Sequence, residues 1–166
     1  MEYIGKAFKF GDNISTDHIA PGRLFHLRSD LKEFAKHVLE DADETFASRM
    51  KKGDFVVAGN NFGLGSSREH APQIIKIAGV SAVLAKSFAR IFYRNAINIG
   101  LLLIECDTDK INAGDELEID IKAGIVKNHT QGTKITFSPL PDVMIKLLND
   151  GGLIEHLKKH GDFDLV

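Results

Sequence analysis

The stretch "DFVVAGNNFGLGSSREHAPQIIKIAGVSAVLAK", residues 54–86, decides the fold. "DFVVAG" (Asp54–Gly59) is a short apolar run suited to the middle of a sheet covered on both faces. Gly59, Gly63 and Gly65 then open a loop. From about Ser67 to Ala78 the spacing predicts a helix, with Ala71, Ile74, Ile75 and Ala78 on its buried side and a stop at Gly79. "SAVLAK" (Ser81–Lys86) is a second buried strand. Strand, loop, helix and strand in succession argue for an α/β fold.

The flanks extend this pattern and then change it. "EYIGKAFKF" (Glu2–Phe10) alternates well enough for a strand, and "GDNISTDHIAPGR" (Gly11–Arg23) is a long polar turn region. "SDLKEFAKHVLED" (Ser29–Asp41) reads as a helix capped by Ser29 or Asp30, with Leu31, Phe34, Ala35 and Val38 on one face. "SFARIFYRNAIN" (Ser87–Asn98) reads as a helix capped by Ser87 and stopped near Gly100, followed by the strand "LLLIEC". Beyond it, "DELEIDI", "IVKN" and "KITFS" are short alternating strands joined by Gly-containing turns, which suggests hairpins. "LPDVMIKLLNDGGLIEHLKKHG" reads as two helices broken at Gly151–Gly152. The expectation is one α/β domain over residues 1–166 with a mixed sheet.

Composition narrows the function. Apolar content of 43% and charged content of 27% suit a globular protein. A net charge of −2 argues against a non-specific nucleic-acid binder. The apolar run Ile99–Ile104 is far short of the ~20 residues of a membrane span, and the first residues lack the apolar core of a signal peptide. Cys106 is the single cysteine, so no intrachain disulfide forms and the chain alone cannot supply a thiolate set for an iron–sulfur cluster. The expected compartment is the cytoplasm.

The glycine loop joins a strand to a helix, so free N–H groups and the helix dipole converge on an anion site. It is not a P-loop, because Leu64 and Gly65 stand where a lysine is needed before Ser66. It is not a dinucleotide fingerprint, because Arg68 replaces the third glycine and Lys86 lies where an acid is expected. A purely structural reading is also open: Ser66 and Glu69 make an S-x-x-E capping box. That reading leaves Arg68 in the first helical turn, where the dipole disfavours a cation.

A second polar cluster comprises Asp12, Asp17, His18, Arg23, His26 and Arg28. Its composition suits a solvated loop; its acid and guanidiniums would also suit a carboxylate-bearing ligand. Arg90 and Arg94, one turn apart beside Phe88 and Phe92, read as the charged face of a helix. Glu33/His37 and His156/His160 have metal-binding i,i+4 spacing but no third ligand in sequence, so they read as surface pairs and no metal is expected on this chain.

"DNISTDHIAPGR", "GNNFGLGSSREHAP", "AKSFARIFYRNAINIGLLLIEC" and "GGLIEHLKKHGD", in this order, resemble the small-subunit family of 3-isopropylmalate dehydratase, the counterpart of the aconitase swivel domain. The resemblance covers essentially the whole chain. It implies a single swivel-type domain, a three-layer β/β/α arrangement, and a hydro-lyase that moves water across a carbon–carbon bond of a hydroxy di- or tricarboxylic acid in leucine biosynthesis. It implies a serine base at Ser66, a neighbouring serine at Ser67, a substrate-carboxylate arginine at Arg68 and an acid at Asp17. It also implies a [4Fe–4S] cluster held by a separate large subunit, with no cofactor bound by this chain. The segment with Leu27 and Arg28 would face the substrate's variable group, where Arg28 suits a homoaconitate-like acidic tip and Leu27 or Phe25 an isopropyl group. The alternatives are therefore a homoaconitase or dual-substrate small subunit, and, outside enzymes, a non-catalytic anion-binding module.

Overall fold

A computed structural model of the chain describes residues 2–66 and 68–161. Ser67 lies outside the described residues. Among those described, seven strands join in one sheet: β1 (Glu2–Lys9), β2 (Phe55–Val57), β3 (Ala82–Ala85), β4 (Leu102–Glu105), β5 (Glu116–Asp120), β6 (Ile125–Asn128) and β7 (Thr133–Thr136). Their order is β4-β3-β2-β1-β5-β6-β7. The half from β1 to β4 is parallel, with Ala7 opposite Phe55 and Val83 opposite both Val56 and Leu103. The half from β1 to β7 is antiparallel, with Gly5 opposite Leu117 and Val126 opposite Ile119 and Ile135. The mixed sheet is as expected, with β1 at its seam.

The helices are α1 (Thr16–Ile19), α2 (Leu31–Ala35), α3 (Phe46–Arg49), α4 (His70–Ala78), α5 (Arg90–Asn98), α6 (Asp142–Asp150) and α7 (Leu153–His160). Side-chain alternation along the parallel strands divides the core in two. Val56, Val83 and Leu103 face a cluster with Phe34, Ile74, Ile75 and Phe92 from the helices. Phe55, Val57, Leu84, Leu102 and Ile104 face a second cluster with Leu117, Ile119, Val126 and Ile135 from the antiparallel half. The sheet must curl for its two halves to share that cluster, and helices, parallel strands and antiparallel strands then stack as three layers. Burial on both faces explains why β2, β3 and β4 are continuous apolar runs, whereas β5 to β7 alternate.

Two expected helix starts and one helix length are corrected. α4 begins at His70, not Ser67, and no side chain caps it. Glu69 is the N-cap of α4 rather than its third residue, so no Ser66–Glu69 capping box forms; Ser66 Oγ accepts from Arg68 Nε at 3.2 Å and Thr16 Oγ1 donates to the Ser66 carbonyl at 3.0 Å. α5 begins at Arg90; Ser87 Oγ instead accepts the Asn61 N–H at 2.7 Å. α2 is capped by Asp30, but the predicted longer helix breaks up into turns. There Leu39 takes φ 57 and donates its N–H to the Ile19 carbonyl at 2.9 Å.

Candidate active site

The loops after β1, β2 and β3 meet beyond the carboxyl ends of these parallel strands, the usual place for ligands in open α/β sheets. They are stitched together by backbone bonds. Asn13 N–H donates to Asn60 O at 2.8 Å, Gly63 N–H to Ile14 O at 2.7 Å and Thr16 N–H to Leu64 O at 2.9 Å. Phe62 N–H donates to Ser87 O, and Ala89 N–H to Phe62 O. Asn13 and Asn61 take left-handed backbone, which asparagine tolerates better than most residues. Gly63 is required: its φ is 87°, and a Cβ there would lie 2.3 Å from Phe92 Cγ. Phe62, fully buried, packs edge-on against Phe88 and Phe92 and anchors the loop from below.

This scaffold brings Ser66, Arg68 and Asp17 together from two segments. Arg68 is the hub. Its Nε–H donates to Ser66 Oγ at 3.2 Å, its Nη2 lies 2.6 Å from Asp17 Oδ1, and its Nη1 donates to the Ala20 carbonyl at 3.1 Å. The Arg68 side chain is 22% exposed, Asp17 65%. Asp17 sits on the four-residue α1, held by a reciprocal bond pair: His18 N–H donates to Ser15 Oγ and Ser15 N–H donates to His18 Nδ1. Gly22 keeps the entrance thin, since a Cβ there would stand 3.2 Å from Asp17 Oδ1 and 3.5 Å from the Arg68 guanidinium.

Arg28 does not reach into the loop cluster. Its guanidinium stacks over the Phe25 ring at 4.5 Å and donates to the Phe25 carbonyl at 3.1 Å. The Arg68 guanidinium also lies 5.5 Å from the same ring, so Phe25 joins the two cations. Leu27 is partly buried and packs against the helix-side core.

The Aconitase C-terminal domain family model matches residues 13–109. 3-Isopropylmalate dehydratase small subunit 2 of Archaeoglobus fulgidus is 61% identical over 99% of this chain and 100% of its own length. The chain belongs to the 3-isopropylmalate dehydratase small-subunit family. Small subunit 1 of Thermotoga maritima is 63% identical over 98% of both chains. The crystal structure of 3-isopropylmalate dehydratase from Methanocaldococcus jannaschii aligns with a TM-score of 0.92 at 46% identity, covering 97% of this chain and 96% of that one. The swivel-type α/β fold is therefore shown by both sequence and structure.

Within this small subunit the site has members that the sequence reading left on a helix surface. A cavity of about 190 Å³ is lined by Thr16, Ser66, Arg68, Arg90, Phe92 and Asn95. Arg90, exposed, has no carboxylate partner among the described residues. Its signal was its place at the start of the helix that follows β3, on the same sheet edge as the glycine loop. A larger cleft of about 430 Å³ runs along β1, but Arg49 there is paired with Asp43, and Asp54 accepts backbone N–H groups. Cys106 is largely buried, and burial pushes its thiol up to about 12, so it is neither nucleophile nor ready thiolate ligand. Glu33 and His37 do not pair; Glu33 binds Lys36 and His37 binds Glu40. His156 and His160 do meet, with Asp150 between them.

Proposed function

We propose that this chain supplies the proton-handling and carboxylate-binding side of 3-isopropylmalate dehydratase. The enzyme is a hydro-lyase that isomerises 2-isopropylmalate and 3-isopropylmalate by dehydration and rehydration and works with a large subunit. The carrying observation is that one guanidinium, Arg68, touches both Ser66 Oγ and a carboxylate.

Abstracting a proton beside a carboxylate builds negative charge on the substrate, and the site has to stabilise that charge as it forms. Serine is a weak base near neutral pH unless a positive neighbour stabilises its oxyanion. Arg68 Nε supplies that neighbour at Ser66. Its Nη atoms form the planar fork that grips carboxylates in pairs. Substrate takes the place of Asp17 on that fork, and Asp17, mostly exposed, is released to act as the site's acid. Arg90 completes the polar lining, and we assign Ser67 to substrate binding from the family resemblance alone. The leucine-pathway substrate fits better than a longer acidic one because Arg28 is engaged on the ring and carbonyl of Phe25.

The [4Fe–4S] cluster expected of aconitase-type enzymes does not suit this chain, which offers one buried, poorly ionised thiol. We assign the cluster to the large subunit and the enzyme to the cytoplasm. Arg68→Gln tests the reading in the assembled enzyme. The variant should raise KM for isopropylmaleate hydration by about 10-fold and lower kcat by about 100-fold. Unchanged kcat and KM would remove Arg68 from the site.

A further inference from the structure

The end of α6 and the length of α7 hold a cluster that the proposed reaction does not use. Asp150 is the last residue of α6, and His156 and His160 lie one turn apart on α7. Asp150 Oδ2 is 2.6 Å from His156 Nδ1 and 3.0 Å from His160 Nε2, and the three ligand atoms all lie within 4.8 Å of one another. The geometry points to a divalent transition-metal site, of the zinc class, formed by Asp150 Oδ2, His156 Nδ1 and His160 Nε2 and clasping α6 to α7.

Four observations carry it. The donor set, two imidazoles and one carboxylate, is one that zinc prefers, and it leaves a fourth position for water. That position is reachable from solvent, because the His160 side chain is 42% exposed while His156 is 1% and Asp150 9%. The other carboxylate oxygen, Asp150 Oδ1, accepts from Lys159 Nζ at 3.2 Å, which fixes the orientation of the carboxylate as outer partners of metal ligands do. The turn packs closely on α5: Gly152 has φ 117, and any Cβ there would come within 2.3 Å of the Asn98 carbonyl at the end of α5.

The charge balance favours a cation. Asp150 is almost buried at a helix C-terminus, where the dipole is unfavourable to an anion. A metal on Nδ1 supplies the positive charge while the ring stays neutral. Four-coordinate zinc spaces its ligands by about 3.3 Å, so the 2.6 Å contact must open by about 0.7 Å and the 3.0 Å contact by about 0.3 Å on binding.

The test uses the full chain after chelator treatment. Titration calorimetry with zinc sulfate should show one saturable site per chain, and cobalt(II) should give the intense visible bands of a four-coordinate centre. Zinc at 100-fold excess over Kd should raise Tm by about 5 °C. His160→Ala, at an exposed position, should keep the metal-free Tm and weaken zinc binding by about 100-fold. No saturable binding, or equal binding by wild type and His160→Ala, would overturn the proposal and leave the cluster as a hydrogen-bond network.

Discussion

Arg68 joins groups that lie far apart in the chain: Asp17 and Ala20 on one loop, Ser66 on another, and the ring of Phe25. Such a guanidinium is held rigidly, so little entropy remains to be lost when substrate replaces Asp17. Its placement also explains the part of the sequence that a helix cap did not. Arg68 precedes α4, its carbonyl accepting the Ala71 N–H at 3.2 Å, and its charge is met by the Asp17 carboxylate rather than left against the helix end. Ser66, Arg68 and Asp17 were recognisable from motif resemblance. Most of their contacts were not, since the Arg68 bonds to Asp17 and Ala20 and that of Thr16 Oγ1 to the Ser66 carbonyl depend on pairing segments about 50 residues apart. Arg28 gives a test at this scale. Removal of its guanidinium by Arg28→Val frees the Phe25 ring without touching Ser66. In the assembled enzyme the variant should keep kcat/KM for isopropylmaleate within about threefold, and any turnover of an acidic-tipped homologue should stay within the same range, because the guanidinium is engaged on Phe25. A matched loss on both substrates would show that the loop acts on folding rather than on selection.

At the scale of elements, the strands were legible because their periodicity is local: continuous where both faces are covered, alternating where one is. The helix starts were less legible. Ser87 looked like a cap, but its hydroxyl serves Asn61 across the chain, and Leu39 turns out of its helix to reach Ile19. The glycine loop and α5 are coupled at Gly63. Gly63→Ala combines a left-handed backbone with a Cβ driven into Phe92, so it should cost about 3 kcal/mol and visibly lower Tm in thermal unfolding. A variant with wild-type Tm would mean the loop and α5 pack more loosely than described. Asp115 serves the antiparallel half in the same way. Its Oδ2 accepts from Asn112 N–H, Asn128 Nδ2 and Gln131 Nε2. Burial pushes this carboxyl up, but those bonds outweigh it and hold it below the usual range. A depressed folded value means its stabilisation is complete above the unfolded value of about 3.9 and is lost as pH falls through the lower folded value. Acid unfolding followed by circular dichroism should therefore be less steep below pH 4 in Asp115→Asn than in wild type. Identical acid limbs would contradict the assignment.

At the scale of the whole molecule, the proposed reading makes this chain one face of an active site. Ser66 and Asp17 are exposed, Arg90 has no carboxylate partner among the described residues, and the apolar Ile91 beside it is 49% exposed at the same edge. A large subunit seated there would exclude water and strengthen the Arg68 interactions. At this level the sequence supplies an expectation only: a single cysteine cannot make up a thiolate set, so a cluster would have to be held elsewhere. The Asp150, His156 and His160 cluster was not readable, because its third member arrives across the Gly151–Gly152 turn. The most direct test is steady-state hydration of isopropylmaleate by the complex rebuilt from the large subunit and Ser66→Ala. The account predicts a fall in kcat of about 100-fold or more with KM nearly unchanged and the complex intact; a kcat within twofold of wild type would contradict it.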